Sequence, residues 1–247
     1  MLFRQLILAA LPLVFATGVH AQQSNIITQG RIEFEKKTNL HSIFDSYDEV
    51  WGAEMKKQFP QFKLTYFDLY FTESKTLYKP GRENTDNNRL WELPAENNII
   101  YMDLARHAAV SQKTVFEKTF LVQDSTRAIR WKLTDEKRTI AGFECRRANA
   151  VIMDSIYIVA FYTDEIGVTG GPESFSGLPG MILGLAIPHE HVTWFATKLF
   201  AVPVTEQELK IPAKGSKATN AGMYSSLKSS LKDWGKWGDR YIKAAML

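Results

Sequence analysis

The chain has 247 residues, enough for one domain or two smaller ones, and its 45% hydrophobic and 23% charged residues are ordinary globular proportions. Lys+Arg 30 against Asp+Glu 27 leaves a net charge of +3, which gives no support to nucleic acid as a partner. A single cysteine excludes an internal disulfide and any cysteine-based zinc or iron–sulfur site.

The first segment addresses the chain. Arg4 precedes the apolar run Leu6 to Ala16, and Val19-His20-Ala21 offers a small-residue cleavage site. Residues 1–21 therefore read as a signal peptide cleaved after Ala21, and Pro12 and the shortness of the run argue against a membrane anchor. An exported chain without disulfides must rely on a substantial apolar core.

Residues 22–202 read as a single antiparallel β domain with one helix. Ile32-Glu33-Phe34-Glu35 alternates as a first strand. Asp45 to Phe59 has helical spacing at Val50, Met55 and Phe59, with Asp45 as the cap and Pro60 as the stop. Phe62–Tyr66 and Phe67–Phe71 alternate with opposite parity, which predicts a bulge between them. Thr76–Tyr78 is a further strand, and Lys79 to Leu93 reads as an exposed loop. Strand candidates follow at Ile99–Asp103, Val115–Val122, Ala128–Leu133, Arg138–Glu144, Arg147–Ile152, Ser155–Thr163, Met181–Ile187 and Val192–Val202. Residues 203–247 form a polar connector and a C-terminal helix, Met223 to Tyr241, packed on the sheet through Leu227, Leu231 and Trp234. Gly235 and Gly238 weaken that helix. The predicted fold class is mainly β, α+β by count: a curved antiparallel sheet with one N-terminal and one C-terminal helix.

Six of the 15 glycines and three of the nine prolines fall between Gly167 and Pro188. Such clustering forces the backbone through turns, and Leu178-Pro179-Gly180 suits a type II turn. Gly177-Leu178-Pro179-Gly180-Met181-Ile182 resembles the signature of the GLPGLI family of secreted Bacteroidota proteins, which mostly lack a known activity. Trp131, Ile140-Ala141-Gly142, Cys145 to Ala148, Phe161 to Ile166, and Gly171-Pro172 with Phe175 resemble further segments of that family. The resemblance implies a mainly antiparallel β-structure in the periplasm of a Gram-negative cell or at its outer membrane. A half-barrel of the lipoprotein-carrier type is the fold analogy.

Candidate chemistry is sparse. His189 and His191 share one side of an extended chain and are metal-ligand types, but a site needs three or four ligands and the local alternative is an exposed turn. Cys145 sits in a strand and reads as buried core, since a nucleophile needs an accessible thiolate and a base. Ser174 and Ser176 lie in no nucleophile elbow. The carboxylates Asp135, Glu136, Asp164, Glu165 and Glu173 read as solvated turn residues. From Lys210 onward, eight basic and two acidic residues accompany Tyr224, Trp234, Trp237 and Tyr241, a composition that allows peripheral contact with a membrane or partner. The leading expectation is a non-enzymatic periplasmic protein that binds a hydrophobic ligand or accompanies an outer-membrane transport or assembly complex. The alternatives are a divalent-metal protein using His189 and His191, with no other cofactor implied, or an enzyme whose site is assembled from distant residues.

Overall fold

The computed structural model describes residues 26–45, 47–87 and 90–247. The proposed signal peptide lies outside them. Twelve strands form one sheet: β1 Gly30–Asn39, β2 Phe62–Phe71, β3 Lys75–Pro80, β4 Ile99–Asp103, β5 Ala108–Val115, β6 Lys118–Ser125, β7 Lys132–Ile140, β8 Phe143–Ile152, β9 Ile156–Thr163, β10 Met181–Ile187, β11 Val192–Phe200 and β12 Ser216–Ala218. Their spatial order is β12-β6-β5-β4-β3-β2-β1-β11-β10-β9-β8-β7. Two meanders, β1 to β6 and β7 to β11, are therefore joined side by side through the antiparallel pair β1–β11. The sheet is mixed, because β12 runs parallel to β6.

The sheet curls without closing. β5 and β8 are eight positions apart, which in a flat sheet separates them by roughly 38 Å. Yet residues of β5, β6 and the β8–β9 hairpin line one cleft. The inner face of β1 carries Ile32 and Phe34, alternating with the more exposed Arg31, Glu33 and Glu35. β9 and β10 are buried on both faces. Part of that cover comes from β7, whose Ile140 packs on Gly184 and whose Arg138 guanidinium lies 4.9 Å from the Phe195 ring centroid. A Cβ at Gly184 would come within 2.8 Å of the Ile140 Cδ1 methyl and the Phe195 ring, so glycine lets these side chains close over the strand.

Several short helices replace the two expected. The stretch 45–59 holds only α2 Glu49–Gln58, a short α1 His41–Phe44 precedes it, and Asp48, not Asp45, caps α2 through the Trp51 amide. Val50 is exposed, and the packing falls instead to Ile43 and Phe44 of α1, against Met55, Phe59, Leu90 and Leu93. The C-terminal stretch breaks at Leu231 to Gly235, giving α3 Asn220–Ser230 and α4 Gly235–Met246 around a 3-10 turn, with Gly235 at φ 52°. Met223, Leu227, Leu231 and Ile242 pack on Val115, Phe120 and Val122 of the sheet, but Trp234 is 47% exposed and stands beside Phe116. The bulge expected in β2 is absent: β2 pairs with β1 in unbroken register, and the irregularity sits across from it, at Glu33/Phe34 facing β11. Among the described residues no helix is long and apolar enough to cross a membrane.

Candidate functional site

The 17 residues between β9 and β10 do more than connect them. Val168, Phe175 and Leu178 are buried in the main core, so the segment runs through the interior of the curl. Its turns are tighter than the type II turn expected, because the Gly180 amide donates to the Leu178 carbonyl at 2.8 Å. Gly180 has φ 141°, and a Cβ there would lie 2.0 Å from the Thr163 carbonyl oxygen. The segment is also pinned from outside: the Trp131 indole donates to the Ser176 carbonyl at 2.9 Å.

This segment delivers Glu173 to the interior. The residue is 2% exposed and adopts φ 53°, so it is no solvated turn residue. Its carboxylate accepts from Asn98 Nδ2 at 3.0 Å and pairs with Lys36 Nζ at 3.5 Å. Lys36 itself lies 5.0 Å from the Trp194 ring centroid. Beside this group the Trp194 indole donates to the Tyr78 hydroxyl at 3.1 Å, bridging β11 and β3 across the curl. Burial, and then the Glu173 charge, raise the Tyr78 phenol well above its ordinary value, so it stays protonated. Desolvation pulls the fully buried Lys113 down to about 8, with Glu173 opposing that shift and Arg127 and Lys36 adding to it.

The end of α4 enters the same interior. Lys113 Nζ donates to the Ala245 carbonyl at 2.9 Å, Arg127 to the Met246 carbonyl at 2.5 Å, and Ser174 to the Leu247 oxygen at 3.2 Å. Cations at the carbonyl end of a helix satisfy its unpaired acceptors and its negative dipole end. Met246 and Leu247 face different cavities. A cleft of about 790 Å³ is lined on its polar side by Lys113, Arg127, Arg130, Asp124, Asp154 and Ser174, and on its apolar side by Val122, Val151, Ile152, Met153 and Met246. A smaller cavity of about 140 Å³ lies against Leu247, its apolar wall shared by Trp91, Trp194 and Tyr241 and the aliphatic Leu93, Pro94 and Val192. Asp124, at the large cleft, is held by the Asn220 and Ser125 amides, which lower its carboxyl from the ordinary value.

The residues singled out from sequence are not brought together. His189 and His191 are exposed on the turn between β10 and β11 and line neither cavity, although Glu190 between them lines the smaller one and pairs with Lys243 at 2.5 Å. Among the described residues no group of three His, Cys, Asp or Glu side chains is placed to hold a metal. Cys145 is fully buried in the main core, and burial pushes its thiol up to about 12. Gly171, Pro172, Phe175, Gly177, Leu178, Pro179 and Gly180 shape the buried segment. Lys113, Glu96, Asn98 and Arg127 carry no signal in the sequence that marks them as functional. Glu173 reads there only as a surface carboxylate, and its single signal is its place inside the glycine- and proline-rich stretch.

The family model that matches this chain is the one described as "Protein of unknown function (Porph_ging)", over residues 150–184. It spans β9 and the buried segment, and it is not the GLPGLI family. The GLPGLI assignment drawn from Gly177–Ile182 is therefore corrected, and the Trp131 to Ala148 segments that accompanied it fall outside the match. No curated protein matches the sequence. Two structures of PNGF-II, in space groups P21 and C2, each match with a TM-score of 0.52, at 15% and 14% identity over 84% and 88% of this chain. This chain spans 33% of the PNGF-II chain, and the likeness extends to the fold alone. An uncharacterized conserved protein from Thermus thermophilus matches at a TM-score of 0.41 and 6% identity, over 79% of this chain and 92% of its own.

Proposed function

We propose that this protein is a carrier whose curled sheet works as a half-barrel, in the manner of the lipoprotein-carrier analogy, and holds an amphipathic anion in the large cleft. One observation supports this most directly. Lys113, Arg127 and Arg130 line a single cleft, and none of the three has an Asp or Glu carboxylate within 4.0 Å among the described residues. The lining sets these three cations against the carboxylates Asp124 and Asp154, so a net positive charge meets an entering anion. The opposite wall of Val122, Val151, Ile152 and Met153 offers apolar contact to the rest of such a molecule. The cleft volume falls in the range of ligand pockets, roughly 300–1,000 Å³. The hydrophobic-ligand reading is thereby given a charged head group, a carboxylate or a phosphate. The proposal includes export through residues 1–21 to the periplasm and association with an outer-membrane complex. The test is to purify the protein from its native envelope, extract it with organic solvent and identify what is released by mass spectrometry. A stoichiometric acidic amphiphile is the expected result, and a neutral lipid or an empty extract would overturn the reading.

A catalytic reading is favoured by a different observation: the buried Glu173 and Asn98 and the half-buried Lys36 converge in contact at the edge of the smaller cavity. Under this reading Glu173→Gln keeps the fold and abolishes turnover in a screen of hydrolase substrates. A protein that turns over none of them before substitution would reject it.

A further inference from the structure

Two large rings stand exposed side by side on one part of the surface. Phe116 is 45% exposed and Trp234 is 47% exposed, and their centroids are 5.3 Å apart. Both sit at turns. Phe116 and Glu117 are the residues between β5 and β6, and Trp234 ends the 3-10 turn between α3 and α4. Phe116 takes φ 54°, a conformation that glycine or asparagine fills in most hairpin turns and that is costly for a bulky ring. Neither Phe116 nor Trp234 lines the large cleft or the smaller cavity. A ring placed in a strained turn and left in water gains little from the fold, which points to contact with something outside it. The pair is also held from behind. Phe116 meets Tyr241 at 5.2 Å, Tyr241 meets Trp237 at 6.3 Å, and Trp237 meets Tyr47 at 4.8 Å, which in turn touches the buried Phe44. The two tips are thereby fixed in place before any partner arrives.

Charge decides the partner. Lys118 follows the hairpin tip, and Lys228, Lys232 and Lys236 lie either side of Trp234 in sequence, all four exposed. β12 runs parallel to β6 with Ser216 beside Phe120, which brings the exposed Lys214 to the level of Lys118. Among the described residues none of these five lysines has a carboxylate within 4.0 Å. The exposed carboxylates of the same segments are Glu117, Asp233 and Asp239, so the balance is positive. Met223, Leu227 and Leu231 face the sheet and leave the lysine-bearing side of α3 in water. Aromatic rings at a projecting tip, with lysines around them, match the boundary of an anionic bilayer. The rings enter among the head groups and the ammonium groups meet the phosphates. Two projecting rings need no matching pocket in a bilayer, as they would on a protein.

We infer that the Phe116–Trp234 surface docks this protein on an anionic phospholipid bilayer. The experiment is sedimentation of the full chain with mixed phosphatidylglycerol–phosphatidylcholine vesicles and with vesicles of phosphatidylcholine alone. Saturable binding to the mixed vesicles is expected, weaker by roughly tenfold or more on phosphatidylcholine alone and falling with rising salt. Phe116→Asn suits the positive φ, and the strain it relieves offsets the ring contacts it loses. It is expected to keep the native melting temperature and to weaken binding about fivefold or more. Trp234→Ser is expected to do the same, and it decides if Phe116→Asn does not fold. Replacing Lys228, Lys232 and Lys236 together with Gln is expected to cut the preference for the mixed vesicles. Binding to neither vesicle would give the surface to a protein partner and overturn the lipid assignment. Equal binding to both vesicles, or binding unchanged in the folded ring variants, would overturn it as well.

Discussion

A side chain at Gly180 has nowhere to go. Its Cβ would overlap the Thr163 carbonyl, and φ 141° is strained for any L residue. Gly180→Val is expected to lower stability by ~1–3 kcal/mol from backbone strain alone. A melting temperature equal to that of the native chain would remove this account of the turn. Lys113 makes a second prediction through pH. Its folded pKa of about 8 lies below the ordinary 10.5, so between those values the unfolded chain binds more protons than the folded one. Stability therefore rises with pH as the folded lysine loses its proton, and burial of the charge costs most below pH 8. From about pH 8 upward the raised Cys145 thiol acts in the opposite sense, since the unfolded chain ionises it around its ordinary 9.0. Between about pH 8 and 9 the lysine contribution of ~1 kcal/mol outweighs it, so the native chain is expected to gain stability in chemical denaturation. Lys113→Met is expected to abolish that gain, and a gain of the same size in the variant would show that another group is responsible.

At the scale of elements, the legible parts are those whose two faces differ or whose ends are marked. Ile99–Asp103 and Met181–Ile187 coincide with β4 and β10, and β9 and β11 differ from expectation only at their ends. The misses have physical reasons. β5 escapes a reading of the sequence because Ala108 to Val115 is small and polar and is held by strand pairing on both sides, which local alternation does not record. β12 is three residues in a polar connector, ordered by its parallel contact with β6. The candidate site is nearly invisible in the sequence, because Glu173, Asn98 and Lys36 come from distant parts of the chain and meet only through the curl of the sheet. The C-terminal stretch packs at Leu227 and Leu231 as its spacing predicts, but not at Trp234. Removing residues 220–247 exposes Val115, Phe120 and Val122 and removes Met223, Leu227, Leu231 and Ile242 from the core, at ~1.5–3 kcal/mol for each side chain. A chain ending at Thr219 is therefore expected to melt well below the full one in calorimetry. Lys228, Lys232 and Lys236 face water and are available to an acidic surface. An unchanged melting temperature with loss of sedimentation on anionic vesicles would make membrane contact, and not packing, the role of these helices.

For the whole molecule, the curl creates one interior out of two meanders, and the end of α4 divides it. The cationic side of that division is the basis of the carrier reading, and it has a direct test in calorimetric titration of the purified chain with decanoate. The account predicts saturable binding of one decanoate per chain that weakens at least tenfold in Arg127→Leu and falls with rising salt as a screened charge contact does. No saturable heat, or an affinity unchanged in a folded Arg127→Leu variant, would contradict it.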